Sequence, residues 1–316
     1  MDRRHFIRSM AGAGAVITTS QLPVLAEDKP EEFPKRGRYE RLSLSYATVK
    51  IGLKKPFSVL HLSDSHLTET YAGEDEWKRG QKESRTRTFG GRQEEALKDA
   101  IAWAKEHVDY IVHTGDLIDY QSEANFDLVG KYFGDKMFGS LGNHEFIHEK
   151  WNESYANEKY KDGTRRQLKK VYPFDISLHS QVVNDVNFVT MDDVFGYVTK
   201  DQVRQFKKEV KKKLPIVLCM HVPFFTENIW RATCRFWKDN GPMTEGKVPP
   251  ASGDYLKQQE DKTTKDFIAY LKKEPLLKCI LAGHEHITVE DQFSATCREY
   301  LVAGGFLFHG REVMFV

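Results

Sequence analysis

Disulfide scaffolding is the first thing this chain lacks, with 4 cysteines in 316 residues. Glycine (22) and proline (11) are also too sparse for a collagenous or low-complexity chain. No charge of either sign is in surplus: 47 basic residues face 46 acidic ones, a formal net of +1. That balance leaves no electrostatic footprint for long nucleic acid or an anionic membrane, so neither is expected as a partner. No run approaches the roughly 18 apolar residues of a membrane span. What remains is an ordinary globular composition, 40% hydrophobic and 29% charged, long enough for one large domain. Cys219 in Pro215–Met220 and Cys279 in Leu276–Ala282 read as buried strand residues. Cys234 and Cys297 sit in irregular segments and would be the pair if one forms, though free thiols are the expectation.

Residues 1–26 read as an address, not as part of the fold. Arg3 and Arg4 precede Phe6, Ile7 and Arg8, and a weakly apolar stretch runs from Met10 to Ile17. Val24, Leu25 and Ala26 supply modest side chains before Glu27, where cleavage would fall. The pattern resembles a twin-arginine export signal, which implies a chain exported folded and soluble in the periplasm. Residues 27–316 then form a single domain.

Apolar runs that alternate with helix-period segments predict an α/β domain. Strands are expected at Phe57–Leu62, Tyr110–Thr114, Met137–Leu141, Val186–Met191, Ile216–Met220 and Cys279–Ala282. Helices are expected at Gln93–His107, Ser122–Gly134, Thr199–Lys213 and Thr264–Lys272, with Thr199 as a cap. Two polar inserts interrupt the rhythm. Residues 71–92 hold no Leu, Ile, Val or Met and predict a solvated loop. Residues 225–262 are irregular and rich in Trp and Pro. Both leave from C-terminal strand ends, where open α/β sheets bind ligands.

The chemistry gathers at those same ends. Asp64-Ser65-His66 follows the first strand and Gly115-Asp116-Leu117-Ile118-Asp119 the second. Gly142-Asn143-His144-Glu145, His221 and Gly283-His284-Glu285-His286 follow later strands. Carboxylate, imidazole and amide groups are the ligands that suit Zn, Mn and Fe. Strand parity puts residues two apart on one side, so Asp64 with His66, and His284 with His286, could each grip one ion. The glycines before Asp116, Asn143 and His284 suit sharp exits where backbone must come close. Together these clusters offer more ligands than one ion can use, which predicts a dinuclear centre suited to attack at phosphorus.

Taken in order, the clusters resemble the calcineurin-like metallophosphoesterases over about residues 57–290. The resemblance implies a four-layer α/β/β/α sandwich, two mixed sheets face to face with helices outside. It implies that Asp64, His66 and His286 hold one metal, that Asn143, His221 and His284 hold the other, and that Asp116 bridges them. A metal-bridging hydroxide would attack phosphorus. His144 would serve the leaving oxygen, and Asp119 would orient its ring. Purple acid phosphatases, by contrast, carry Tyr where this chain has Asp119 and lack the first histidine. Protein Ser/Thr phosphatases continue Arg-Gly where this chain has Tyr120-Gln121, so the phosphate-gripping arginine is missing there.

Other residues read more blandly. His113 and His61 fit core packing, and His148 fits a surface position. Trp230, Arg231, Arg235 and Trp237 could contact substrate, the arginines four apart on one helical face. The expected function is an exported phosphoesterase with two metal ions (Mn, Fe or Zn) acting on a small phosphomonoester or phosphodiester. A nuclease, or a nucleotide or sugar-nucleotide pyrophosphatase, is the rival on the same site, and a non-catalytic metal-binding scaffold is a further one.

Overall fold

A computed structural model describes residues 41–150, 156–240 and 261–316. The expected export signal lies outside them, as do residues 241–260 of the second insert, Pro242, Pro249 and Pro250 included. Among the described residues no helix is long and apolar enough to cross a membrane.

Two mixed sheets form the centre. One runs β1 (Ser43–Val49), β11 (His309–Phe315), β2 (Phe57–Leu62), β3 (Tyr110–Thr114) and β4 (Met137–Ser140) in spatial order. The other runs β5 (Leu178–Val183), β6 (Val186–Met191), β7 (Ile216–Cys219), β8 (Leu277–Ala282), β10 (Arg298–Leu301) and β9 (Val289–Gln292). Within the first, β2, β3 and β4 are parallel; within the second, β6, β7, β8 and β10 are.

Side-chain alternation builds the layers. Val59, Val112 and Phe138 of the first sheet meet Phe188, Val217, Cys219, Cys279 and Leu281 of the second in one buried cluster. Their strand neighbours point the other way. Leu60, Leu62, Ile111 and Met137 pack under α2 (Gln93–His107), α3 (Glu123–Tyr132) and α4 (Glu158–Val171). Ile216, Leu218, Ile280 and Ala282 pack under α5 (Lys200–Val210) and α7 (Lys262–Leu271). Helices, sheet, sheet and helices are the four expected layers. Thr199 caps α5 in a reciprocal box with Gln202. All four cysteines are free and buried.

The 71–92 insert is not the solvated loop that its composition predicts. Residues Glu76–Phe89 form a helix, α1. Asp75 accepts the Lys78 amide at its N-terminus, and Gly90 ends it in a left-handed turn (φ 90°). The absence of aliphatics limits how much a helix buries, not whether it forms. A capped run of Glu, Lys, Arg and Gln has the propensity by itself. The second insert is likewise less irregular than expected, since Glu227–Asn240 is helical (α6).

Candidate metal centre

Every cluster expected to carry chemistry lies on the loop after a strand. Asp64 and His66 follow β2, Asp116 and Asp119 follow β3, and Asn143 and His144 follow β4. His221 follows β7, and His284 and His286 follow β8. The parallel strands therefore aim all of them at one rim between the sheets. The cross-links are direct: the His284 amide donates to Asp64 Oδ2 (3.0 Å), and His221 Nδ1 donates to the Thr114 carbonyl (2.7 Å).

Strand parity is not what aims these side chains. Asp64, His66, Asp116, His284 and His286 all adopt left-handed backbone, with φ between 48° and 68°. Such conformations are uncommon outside glycine and cluster at functional sites. The His284/His286 pair consequently splits: His286 faces His66 and Asp64, whereas His284 faces His221. The two rings thus turn to different neighbours, contrary to the spacing argument. Two glycines permit the packing. A Cβ on Gly115 (φ 95°) would stand 2.5 Å from His221 Nδ1, and one on Gly283 would stand 1.8 Å from Ser63 Oγ.

Proton inventory shows what the rim is built to hold. His66 Nδ1 donates to Asp119 Oδ1 (2.9 Å), so its Nε2 presents a lone pair. That Nε2 lies 3.1 Å from Nε2 of His286, which is itself 3.3 Å from Asp64 Oδ1. Asp64 Oδ1 is buried and receives no hydrogen bond. With Nδ1 committed to Thr114, His221 turns Nε2 into the rim; burial opposes its charge, but Asp116 prevails and raises the ring to about 10, so a metal there would have to displace a proton. Its Nε2 meets Asn143 Oδ1 (3.1 Å), His284 Nδ1 (3.1 Å) and Asp116 Oδ2 (3.3 Å). Imidazole nitrogens gathered this closely with carboxylate and amide oxygens make a donor set that suits a metal ion. Two donors each about 2.1 Å from one cation stand about 3 Å apart. Asp116 Oδ2 lies 3.8 Å from His66 Nε2 as well as near His221, between the two groups.

Two metal-competent triads among the described residues overlap at Asp64. Asp64, His66 and His286 form one, and Asp64, Asp116 and His221 another. A third, His66, Asp119 and His144, is already closed by hydrogen bonds. Electrostatics agree. Burial works against the charged Asp64 and Asp116, yet the surrounding imidazoles outweigh it and hold both well below the usual carboxylate range. Burial and the nearby His221 push His284 down to about 3, leaving a neutral ring able to bind metal.

His144 is set apart from these ligands. Its Nδ1 donates to the Asp119 carbonyl (3.0 Å) and lies 2.9 Å from Asp119 Oδ1, which leaves Nε2 free to act. Burial opposes its charge, but Asp116 and Asp119 prevail and raise it to about 9. Cations beside it would draw that value back down. Its side chain is 20% exposed, against 1% for His66 and none for His221, so it faces the mouth.

A profile of the calcineurin-like phosphoesterases matches residues 57–288. The chain belongs to that family. Among solved structures, this phosphoesterase is similar to a dimetal phosphatase from Danio rerio at 14% identity and a TM-score of 0.44, over 79% of this chain and 88% of that one. A 5'-nucleotidase from Candida albicans aligns at 12% identity and a TM-score of 0.37, over 84% of this chain but 46% of its own length. No curated protein matches the chain.

Several residues around this phosphoesterase rim escaped sequence reasoning. Glu145 is buried and accepts the amides of Asp116 (2.9 Å), Leu117 (2.7 Å) and Gly142 (2.7 Å), tying two ligand loops together. Asp193, after β6, accepts the His221 amide (2.9 Å). From α1, Arg85 grips Asp119 through Nε (2.6 Å) and Nη2 (2.9 Å), and Phe89 stacks on His66 with centroids 4.2 Å apart. The caps at Asp75 and Gly90 were the signal for that helix. Nothing in the sequence tied it to Asp119.

The α6 residues divide. Trp237 donates Nε1–H to Glu285 (3.1 Å), and its ring lies 6.0 Å from that of His286. Arg231 turns instead to Glu227 on its own helix, and it is exposed, as is Arg235. The buried indole N–H of Trp230 has no partner among the described residues. His113 bonds Ser65 (2.9 Å) and His61 bonds Thr114 (2.9 Å), both buried. His148 packs on Tyr160, 4.9 Å between centroids.

Proposed function

We propose that this phosphoesterase hydrolyses a small phosphomonoester or phosphodiester at a dinuclear metal centre. The convergence of His66, His221, His284 and His286 nitrogens on Asp64, Asp116 and Asn143 carries the reading. Such a donor set fits two cations. Asp64, His66 and His286 would hold one; Asn143, His221 and His284 would hold the other; and Asp116 would be shared. When bound, the cations supply Lewis acidity and lower the pKa of water, whether they are Mn, Fe or Zn.

The remaining work falls to the protein. His144, with Nδ1 fixed by Asp119, keeps Nε2 to donate a proton to the departing ester oxygen. Asp119 stays ionised because His144, His66 and Arg85 outweigh the cost of its burial. It therefore holds both rings in one tautomer. Phe89, Phe306 and Trp237 line the His66/His286 side with aromatic surface, which excludes water beside the reacting ester. Near-neutral charge favours a small ester over a polymer. The resemblance of residues 1–26 to an export signal supports action in the periplasm.

The test is hydrolysis of para-nitrophenyl phosphate and bis(para-nitrophenyl) phosphate by the purified chain loaded with Mn²⁺, Zn²⁺ or Fe²⁺. Turnover of either that needs metal and Asp116 is expected. Diester preference points to a phosphodiesterase or pyrophosphatase, and monoester preference to phosphate release. No turnover above Asp116→Asn with any metal would contradict the proposal.

A further inference from the structure

We propose that Arg85, carried by the polar helix α1, is a positioning residue for this reaction: through Asp119 it sets the rings of His66 and His144 together. The inference rests on the dinuclear reading above. Three nitrogens gather about Asp119 Oδ1 at 2.9 Å: His66 Nδ1 and Arg85 Nη2 donate to it, and His144 Nδ1 lies beside it while bonding the Asp119 carbonyl (3.0 Å). The two imidazoles stand 89° apart with centroids 4.7 Å from each other. One carboxylate thus has to satisfy two nearly perpendicular rings, one at a metal position and one at the leaving group.

Rotation about its Cβ–Cγ bond would favour one ring at the expense of the other. Arg85 Nε, at 2.6 Å from Oδ2, blocks that rotation, because the planar guanidinium engages both oxygens at once. An ammonium supplies charge but no such fork.

The helix reinforces the placement. Phe89, one turn beyond Arg85, stacks on His66 at 4.2 Å and 14°, and the Arg85 guanidinium lies 4.8 Å from the Phe89 centroid. Thr86 Oγ1 bonds Thr68 Oγ1 (2.7 Å) between them, and Trp77 meets Tyr120 edge-on at the far end. The face that α1 turns inward therefore presents one cation to a buried carboxylate and one ring to a metal-site histidine. Elsewhere on α1, Lys82 pairs with Glu69 at the surface.

The experiment measures Mn²⁺ affinity without substrate, by competition with a chromophoric chelator, in wild type, Arg85→Ala, Arg85→Lys, Asp119→Asn and Arg85→Ala/Asp119→Asn. Thermal unfolding monitors folding, and Arg85→Lys keeps the charge should Arg85→Ala fail to fold. Loss of a group that orients a metal ligand typically costs about 10–100-fold in metal affinity, which is the expectation for both Arg85 variants. In the Asp119→Asn background, Arg85→Ala should add less than about threefold, because the link is already broken. With phenyl phosphate, a poor leaving group, kcat should fall further than with para-nitrophenyl phosphate, and KM should hardly move.

Unchanged Mn²⁺ affinity in Arg85→Ala would overturn the inference. So would full rescue by lysine, or a loss confined to KM and to inhibition by inorganic phosphate, the mark of a substrate-gripping arginine. Failure of wild type itself to bind Mn²⁺ or, in the same assay, Zn²⁺ would instead sink the dinuclear reading.

Discussion

Helices α1 and α6 both arise from inserts at the rim, but only the insert that forms α6 was expected to reach the site through named residues. The outcome is nearly the reverse. α6 carries Trp230, Arg231, Arg235 and Trp237, and of these Trp237 reaches the histidine loop, while the two arginines face solvent. α1 has no aliphatic side chain to attract attention, yet it delivers Arg85 to a carboxylate only 1% exposed and Phe89 to the face of His66. An arginine's place depends on the charge that waits for it. Glu227, one turn away, takes Arg231, whereas the buried Asp119, already holding two imidazoles, takes Arg85. An exposed pair of the first kind contributes about 0–1 kcal/mol, while a desolvated fork of the second kind is costly to break.

Breaking what both helices stand on should have the largest effect. Asp116→Asn removes the carboxylate shared between the two ligand groups, and metal content and turnover should disappear together; elemental analysis beside an activity assay checks this. His144→Ala tests the floor of α1's side without touching a ligand. Metal should stay, and the rate with a poor leaving group should fall roughly 10²–10⁴-fold. Its pH dependence has a definite sign. Because Asp116 and Asp119 raise His144 to about 9 against its burial, the proton is present below that value and lost above it. Bound cations can only lower it, so wild type should lose rate through an alkaline limb at or below about 9 that His144→Ala lacks.

The comparison itself sharpens with Trp237→Phe, which keeps the ring beside His286 and removes the bond to Glu285. A lost neutral hydrogen-bond donor is worth about 2–10-fold in kcat/KM, below the loss of about 10–100-fold in metal affinity expected of the single Arg85 variants. Arg231→Ala/Arg235→Ala should leave Michaelis parameters and stability nearly unchanged, within about 0.5 kcal/mol. A KM increase of tenfold or more in that double variant would restore those arginines to the substrate and erase the contrast.

Several central strands were legible because a buried strand reads as a predominantly apolar run, and Phe57–Leu62, Tyr110–Thr114 and Val186–Met191 have the bounds expected. The helix Gln93–His107 was legible from its apolar period, and Lys200–Val210 from its Thr199 cap. Less legible were β1 and β11, which pair with each other across most of the chain, so that neither has a local signal for its partner. α4 was missed because it anchors through Lys161, whose ammonium is buried on Asp192 (2.7 Å), a residue that reads as solvated. At the site, polar clusters after apolar runs marked the ligand loops. How the ligands divide between two ions was not readable from spacing, because left-handed backbone at His284 and His286 turns them apart. Arg85 was invisible for a simpler reason: one arginine among many charged residues has no sequence mark of the buried carboxylate it will meet.

Metal stoichiometry tests the central claim most directly. The purified chain would be loaded with Mn²⁺ or Zn²⁺, freed of loose ions on a desalting column and assayed for metal per chain, beside Asp116→Asn. Two ions per wild-type chain, and fewer than one in the variant, is the predicted result. One ion or none in wild type with every metal would contradict the account.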